Sequence, residues 1–208
     1  MPATGQCCRA NNQTIVAMHS LGSIRDRFSA KAPRLIAQPD WRHAAVAMLI
    51  HMDEVKGLQV LMIERAKDEK DPWSGHLALP GGRVEEQDAN PRNAAERETL
   101  EEIGVNLNSA EFLGQLDDVD ADRYPMIISC YVYGLQNQPD CSADPVEVAD
   151  IFWLPLSCLD EVERQRQIYP VMDDPDRSFP AVKVPGKSQP LWGITYKILK
   201  RFLTVAEN

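Results

Sequence analysis

Three glutamates, Glu98, Glu101 and Glu102, lie close together in the stretch from Gly82 to Val105. Residues three and four positions apart meet on the same side of an α-helix, so a helix here is predicted to carry all three carboxylates on one face. Clustered carboxylates are ligands that Mg²⁺ accepts, and they leave positions open for water and substrate phosphates. A solvated, charged helix face would carry the same triplet, so the triplet alone leaves both interpretations open.

Two neighbouring features favour the chemical interpretation. Arg97 precedes Glu101 by four residues, where its guanidinium can hold that carboxylate. Gly81 and Gly82 lie just upstream of the stretch. Because glycine lacks a Cβ, this pair allows the backbone to approach a phosphate closely or to turn tightly.

The helix that positions these glutamates has recognisable ends. Asn90 and Pro91 are typical of a helix start, and Gly104 is typical of a helix end, so a helix is predicted from about Asn90 to Ile103. A second helix, Leu21 to Ala30, is predicted after the capping residue Ser20.

The remaining chain alternates irregularly between strand-like and helix-like segments, which predicts an α/β or α+β fold with a mixed sheet. Strands are predicted at Ala44 to Met52, Leu58 to Arg65, Phe112 to Leu116, Met126 to Gly134 and Ile151 to Leu154. Helices are predicted at Leu156 to Arg166 and Ile194 to Val205. Asp117 to Tyr124 is interpreted as an acidic loop, and the segment around Pro170, Pro175, Pro180 and Pro185 as a connector.

Composition limits the possible partners. The chain has 208 residues, 31 acidic and 22 basic, and a net charge of −9. This balance argues against a nucleic-acid polymer or an anionic membrane as partner, because both require a basic face. The length predicts one domain, residues 19–208, after a loose tail of residues 1–18, and Met18 is an alternative start.

Cysteine usage indicates a reducing compartment. The chain has five cysteines, no CxxC pair and no zinc-like spacing, which favours reduced thiols in the cytoplasm. Cys130 is predicted to be a buried apolar residue, since it lies in an apolar run. No stretch reaches the roughly 20 apolar residues of a membrane span.

The stretch from Gly82 to Val105 resembles the Nudix box, G-x5-E-x7-R-E-U-x-E-E-x-G-U, in which U is a bulky aliphatic residue. The matching positions are Gly82, Arg97, Glu98, Glu101, Glu102, Gly104 and Val105. Asp88 replaces the first glutamate of the box, eight residues instead of seven separate Asp88 from Arg97, and Thr99 replaces the aliphatic residue. With the first two departures, the stretch resembles the box of the coenzyme A diphosphatase branch of the family. Segments Leu61 to Gly82 and Leu191 to Thr195 also resemble that branch, although Ile63, Ala66, Asp71 and Leu79 depart from its pattern.

The resemblance implies an α/β/α sandwich and hydrolysis of a nucleoside diphosphate linked to another group, X, with Mg²⁺ or Mn²⁺. It implies that Glu98, Glu101 and Glu102 are metal ligands and that Glu101, Glu102 and Arg97 serve catalysis. Glu101 is either a ligand or the base for the attacking water, and Arg97 is expected to orient it. Expected substrate contacts are Arg65, Gly81, Gly82 and His76, with a structural role for His76 left open.

Coenzyme A or a derivative is the first expected substrate, cleaved to 3′,5′-ADP and 4′-phosphopantetheine. The alternatives are another Nudix substrate (a nucleotide sugar, ADP-ribose, a dinucleotide or a nucleoside triphosphate) and a nucleotide-binding module without hydrolysis. Arg42, Arg34, Lys67 and Lys70 are candidates to bind the 3′-phosphate of coenzyme A.

Several other residues have both a functional and a structural interpretation. Trp73 is expected either to stack on a base or pantetheine arm or to pin its loop to the core. Glu147 is an alternative acidic ligand or base, whereas the run Asp117, Asp118, Asp120 and Asp122 is interpreted as a solvated loop. His19, His43 and His51 show no functional signal. The apolar C-terminal helix is expected to dock on the core, with a homodimer as the alternative.

Overall fold

The computed structural model describes residues 20–68, 73–121, 124–159, 167–171 and 174–207, with the backbone alone in 167–171 and 174–178. The predicted tail, residues 1–18, therefore lies outside the described residues, as do His19, Lys70, Asp71 and Asp122. No helix in the described ranges is long and apolar enough to cross a membrane.

The chain folds into two sheets and a set of helices that cover them. The helices are α1 (Leu21–Ala30), α2 (Pro91–Ile103) and α3 (Gly193–Glu207), with a short 3₁₀ helix at Leu107–Ser109. The strands are β1 (Arg42–Asp53), β2 (Gly57–Arg65), β3 (Leu77–Ala78), β4 (Gly81–Arg83), β5 (Glu111–Gln115), β6 (Val119–Ala121), β7 (Tyr124–Leu135), β8 (Val148–Pro155), β9 (Gln167–Val171), β10 (Asp174–Val182) and β11 (Leu191–Trp192).

The larger sheet has eight strands and is mixed. Its main path runs β3-β2-β1-β7-β5, while β4 pairs with β1, β6 with β7 and β8 with β2. The pairing of β1 with β7 is parallel over ten residues of register, and the pairings of β1 with β2 and β4 are antiparallel. The predicted mixed sheet is confirmed.

The two faces of this sheet bury different helices. In β1, Met48 and Ile50 belong to a core that includes residues of α1 and α3. The intervening residues Ala47 and Leu49 belong to a second core, which includes residues of α2. Because successive side chains of a strand point to opposite faces, this alternation places helices on both sides of the sheet. The expected α/β/α sandwich is confirmed.

The C-terminal helix packs on the core as expected. Ile198, Leu199, Phe202 and Leu203 of α3 are all at most 3% exposed. Phe202 also stacks on Phe28 of α1, with 6.4 Å between the ring centroids. The predicted burial of Cys130 is confirmed as well, since its side chain is 1% exposed.

Two segments interpreted as irregular contain strands. The acidic loop includes β6, which pairs with β7. The proline-rich connector contributes to β9 and β10, which pair with each other, and β10 also pairs with β11 in a separate three-stranded sheet. Proline is tolerated at strand edges and bulges, and the β9–β10 register shifts between Asp174 and Ser178. Of the predicted helix Leu156 to Arg166, residues 157–159 are helical and 160–166 lie outside the described residues.

Candidate active site

Helix α2 carries the predicted glutamates, and both of its ends are fixed by backbone hydrogen bonds. The side chain of Asn90 caps the N-terminus by accepting from the Asn93 N–H at 3.1 Å. Gly104 ends the helix in the left-handed region, at φ +70°, and its N–H donates to the Leu100 carbonyl. The predicted helix boundaries are confirmed, and they determine which glutamates face the sheet.

Strand β4 lies directly against the carboxylates of α2. The Gly81 N–H donates to Oε2 of Glu102 at 2.8 Å. A Cβ on Gly82 would lie 2.3 Å from Cδ of Glu98, and a Cβ on Gly81 would lie 2.3 Å from the carbonyl oxygen of Ala45. Glycine is therefore required sterically at 81, where the contacts are with the backbone of β1, whereas a side chain at 82 would displace the carboxylate of Glu98.

Burial makes the charged forms of these carboxylates unfavourable. Glu102 is 1% exposed, and burial raises the pKa of its carboxyl from 4.5 to about 8. The Gly81 N–H and Arg65 counteract that rise in pKa, whereas Glu98 and Glu147 add to it. Burial also raises the pKa of Glu98, with Glu101 and Glu147 adding to the effect. Without a cation beside it, the carboxyl of Glu102 therefore keeps its proton to a higher pH than an ordinary glutamate.

Arg97 contacts three carboxylates: those of Asp88, Glu98 and Glu101. Its Nε and Nη2 donate to Oδ1 and Oδ2 of Asp88, both at 3.1 Å. Its Nη1 donates to Oε1 of Glu98 at 3.0 Å and to Oε2 of Glu101 at 2.8 Å. The predicted contact with Glu101 is confirmed. These hydrogen bonds, with Asp88 contributing most, raise the pKa of Arg97 and lower that of Asp88.

The three glutamates do not share one environment. The side chain of Glu98 is 15% exposed and that of Glu102 1%, whereas that of Glu101 is 57% exposed. Residues four apart differ by about 40° around a helix, while neighbouring residues differ by about 100°. Glu98 and Glu102 therefore face β4 together, and Glu101 lies at the solvent edge of that face.

Two further predicted residues lie at the mouth of this site. Nη1 of Arg65 lies 3.9 Å from Oε1 of Glu102, at the end of β2. His76 packs edge-on against Trp192, with 5.1 Å between the ring centroids. Both side chains line a cavity of about 570 Å³ that also reaches Gly81 and Gly82. The cavity brings together all four residues predicted to contact substrate.

The cavity has an aromatic rim and an apolar floor. Trp73 meets Tyr124 edge-on at the rim, with 5.7 Å between the ring centroids. Val46, Met126, Ile128 and Ile198 are among the apolar lining residues. The arginines of the lining are Arg42, Arg65 and Arg83. This surface can accept an aromatic or apolar group joined to an anionic one.

Other candidate residues have structural contacts. Asp118 is 4% exposed and accepts from the Ile36 N–H at 2.9 Å and the Ser129 hydroxyl at 2.6 Å. The interpretation of this acidic run as wholly solvated is wrong, because Asp118 anchors the connector before β1. His43 contacts the same Ser129 hydroxyl at 2.9 Å, and Nδ1 of His51 lies 3.1 Å from the Leu135 carbonyl oxygen.

The carboxylates fit a hard divalent cation. Among the residues that the structure describes, no three His, Cys, Asp or Glu side chains are arranged to hold a metal ion. Mg²⁺, however, is usually bound through only one or two carboxylates and keeps several waters. The pair Glu98 and Glu102, which lies against Gly81 and Gly82 of the cavity wall, matches that requirement. Ligation by Glu101 stays a prediction.

The sequence indicated this site through the box, yet it missed two contacts. Asp88 departs from the box pattern, yet it is the bidentate partner of Arg97. Lys187 matches no motif. Its Nζ donates to Glu64 at 2.9 Å and to Asp150, and it lies 4.1 Å from the centroid of the Phe152 ring. Lys187 thus ties the loop between β10 and β11 to strands β2 and β8.

Comparison with known proteins identifies related sequences and folds. The chain is 32% identical to the Schizosaccharomyces pombe protein C14C4.10c over 163 residues, which cover 68% of this chain and 50% of that protein. It is 37% identical to the peroxisomal coenzyme A diphosphatase ndx-8 of Caenorhabditis elegans over 116 residues, which cover 55% and 49% of the two chains. The chain thus spans about half the length of these curated relatives.

A solved structure supports the fold. The crystal structure of a MutT/nudix family protein from Enterococcus faecalis matches with a TM-score of 0.52 at 19% identity, covering 91% of this chain and 71% of that one. The model of the NUDIX domain matches residues 41–172, which include β4, α2 and most of the cavity wall. The chain therefore belongs to the NUDIX family.

Proposed function

We propose that this protein hydrolyses, with a divalent metal ion, the diphosphate bond of a nucleoside diphosphate linked to another group. The observation that carries this proposal is the burial of Glu98 and Glu102 against Gly81 and Gly82, at the edge of a cavity that Arg65 also lines. Carboxyl groups buried in this way ionise more readily beside a cation, and a cation beside an arginine-lined cavity suits a phosphate substrate.

Each side chain has a proposed role. Glu98 and Glu102 hold Mg²⁺ or Mn²⁺, which when bound neutralises phosphate oxygens and lowers the pKa of water. The Gly81 N–H orients the carboxylate of Glu102. Arg97 is a positioning residue, since it holds Glu98 and Glu101 while Asp88 holds its own guanidinium. Arg65 binds a phosphate oxygen of the substrate.

Two acidic residues remain candidates for accepting the proton of the attacking water. Glu101 is the most exposed of the three glutamates, and its Oε2 already accepts from Arg97. Glu147 precedes β8, and its charge acts on both Glu98 and Glu102. We propose Glu101 as a further ligand or the base, and Glu147 as the alternative base.

Coenzyme A or a derivative is the proposed substrate, with 3′,5′-ADP and 4′-phosphopantetheine as products. The name of the C. elegans relative supports this choice, as does a cavity that combines apolar, aromatic and cationic surface. A nucleotide sugar, ADP-ribose, a dinucleotide or a nucleoside triphosphate is the alternative substrate. The complete set Arg97, Glu98, Glu101 and Glu102 argues against a module that only binds nucleotides.

A substrate screen tests this proposal. Coenzyme A, ADP-ribose, NADH, UDP-glucose and nucleoside triphosphates are incubated with the protein and Mg²⁺ or Mn²⁺, and the products are separated by chromatography. Coenzyme A is expected to give the highest kcat/KM. If another compound is cleaved faster, the coenzyme A assignment is wrong, and if none is cleaved, the binding-module alternative is favoured.

A matched pair of variants tests the site itself. Glu102→Gln is expected to lower kcat by at least about 100-fold, since the amide keeps the shape but loses the charge that holds the cation. Glu54→Gln makes the same charge change in the exposed turn between β1 and β2, and it should keep wild-type activity. Near-normal kcat in a folded Glu102→Gln protein, with folding checked by circular dichroism, would contradict the proposed site.

The compartment is a separate proposal. Reduced thiols and the absence of zinc-like spacing favour the cytoplasm, whereas the C. elegans relative is named peroxisomal. Imaging the full-length protein with a small tag at either end distinguishes the two. Light scattering measures the oligomeric state. We expect a monomer, because the apolar face of α3 is already buried.

A further inference from the structure

Two of the three arginines that line the cavity have no carboxylate partner among the described residues, unlike the other arginines around the site. Arg92, Arg97 and Arg65 each contact a carboxylate. In the part of the chain that the structure describes, the guanidinium groups of Arg42 and Arg83 have neither a hydrogen bond nor an ion pair. The chain carries 31 acidic residues against 22 basic ones, so two cavity arginines without a carboxylate partner are notable.

The sheet register brings these two arginines together. Arg83 of β4 lies opposite Ala44 of β1. Arg42 is two residues before Ala44 on the same strand, so Arg42 and Arg83 are diagonal neighbours on the same face. Diagonal neighbours on antiparallel strands lie roughly 7–8 Å apart, within reach of one another's long side chains. A group between them can therefore contact both guanidiniums.

This pair is separate from the arginine at the carboxylate site. Arg65 lies beside Glu102 at the end of β2, where the scissile diphosphate is proposed to bind. Arg42 lies opposite Met126 of β7 and thus extends the cavity wall along the neighbouring strand. The cavity therefore has one cationic residue next to the carboxylates, on β2, and a cationic pair on β1 and β4.

We propose that Arg42 and Arg83 form a second anion subsite, which binds a phosphate group of the substrate other than its diphosphate. This inference rests on the proposed function, because it assigns the second phosphate to the same substrate. Two like charges on neighbouring strands repel each other, and one phosphate with several acceptor oxygens relieves that repulsion while accepting from both guanidiniums. The subsite selects nucleotides that carry an additional phosphate monoester.

The position of Arg83 is coupled to the metal site. Nη2 of Arg97 donates to the Arg83 carbonyl at 3.1 Å, so the same guanidinium that holds Glu98 also fixes the backbone at Arg83. The distance between the second phosphate and the diphosphate is thereby set by α2 and β4 together. A substrate with its extra phosphate in the wrong place should lose the contact without losing the diphosphate contacts.

Two sources of such a phosphate are chemically possible: a ribose 3′-phosphate, as in coenzyme A, and a ribose 2′-phosphate, as in NADPH. Calorimetric binding of 3′,5′-ADP, 2′,5′-ADP and 5′-AMP separates them without requiring turnover. The wild-type protein is expected to bind one of the bisphosphates about 10- to 100-fold more tightly than 5′-AMP, as one or two charge-assisted hydrogen bonds would give. The preferred isomer identifies the source.

The double variant Arg42→Gln/Arg83→Gln tests the assignment. It should bind the preferred bisphosphate and 5′-AMP equally, with unchanged 5′-AMP affinity. Lys31→Gln/Lys56→Gln is the charge-matched control, because both lysines are exposed and neither lines the cavity; it should keep the wild-type preference. Equal binding of all three nucleotides by the wild-type protein, or a preference retained in the double variant, would overturn the subsite.

Turnover gives an independent comparison. For coenzyme A against 3′-dephospho-coenzyme A, or NADPH against NADH, the double variant is expected to lose kcat/KM only on the phosphorylated member. An equal loss on both members would assign the arginines a general role and refute the subsite. If neither pair is hydrolysed by the wild-type protein, the proposed reaction fails, while the binding experiment still decides the subsite.

Discussion

The buried carboxyl of Glu102 predicts how the stability of the metal-free protein depends on pH. Its pKa is about 8 in the folded chain, against 4.5 for an ordinary glutamate. Between those pH values the folded protein retains a proton that the unfolded chain releases, so the free energy of unfolding falls as pH rises through this window. At about 1.4 kcal/mol for each pH unit, the full loss is up to about 5 kcal/mol.

The variant Glu102→Gln isolates this effect. Glutamine cannot ionise, and its amide oxygen can still accept from the Gly81 N–H. In the presence of a chelator, the wild-type protein should lose several kcal/mol relative to Glu102→Gln between pH 5 and pH 8.5. Urea denaturation at half-unit pH steps measures the difference, with Glu54→Gln as the control that should follow the wild-type profile.

The same reasoning predicts the response to metal. Mg²⁺ or Mn²⁺ binds the ionised carboxylate, so added metal should raise the melting temperature of the wild-type protein more at pH 8.5 than at pH 5.5. Glu102→Gln should show a smaller rise at both pH values. Parallel pH profiles of the wild-type protein and Glu102→Gln, agreeing within about 1 kcal/mol, would refute the argument that burial opposes ionisation here.

Three further outcomes are expected. Gly82→Ala should abolish metal-dependent turnover while the protein stays folded by circular dichroism, because the methyl group would displace the Glu98 carboxylate; full activity would contradict the observed packing. Asp88→Asn should lower the free energy of unfolding by about 2–3 kcal/mol in urea denaturation and weaken metal activation, because Arg97 loses a bidentate charged partner. Lys187→Met should lower the free energy of unfolding by about 1–2 kcal/mol and raise KM more than it lowers kcat in steady-state kinetics, because it releases the loop before Trp192; a change in kcat alone would assign Lys187 to another role.

The local parts of the site could be predicted because short-range rules determine them. A helix cap, a proline at the first position and a left-handed glycine defined α2 within a residue of its observed ends. Glutamates at a four-residue spacing then had to share a face. The expectation that Glu101 shares this face is wrong. Glu101 is about 100° around the helix from Glu102 and lies at the solvent edge.

The long-range parts could not be predicted from local pattern. Lys187 meets Glu64 across 123 positions of the chain, and no periodicity near either residue indicates the pair. Asp118 lies in a run of acidic residues that is typical of a loop, yet tertiary contacts bury it against Ser129. The proline-rich segment has the composition of a connector, yet β9 and β10 pair with each other and β10 pairs with β11.

The distribution of charge is compatible with the proposed phosphate substrate, although the protein is acidic overall. The backbone of Gly81 and Gly82 lies between the carboxylates of α2 and the opposite wall of the cavity, and Arg83 continues the same strand on the cavity side. Above the pKa of Glu102 and without metal, the charges of Glu98 and Glu102 oppose an approaching diphosphate, while Arg65 attracts it. A bound divalent cation reverses the sign at the carboxylates and leaves the arginines unchanged. Metal should therefore govern affinity for the diphosphate, whereas affinity for a second phosphate should depend on the arginines alone.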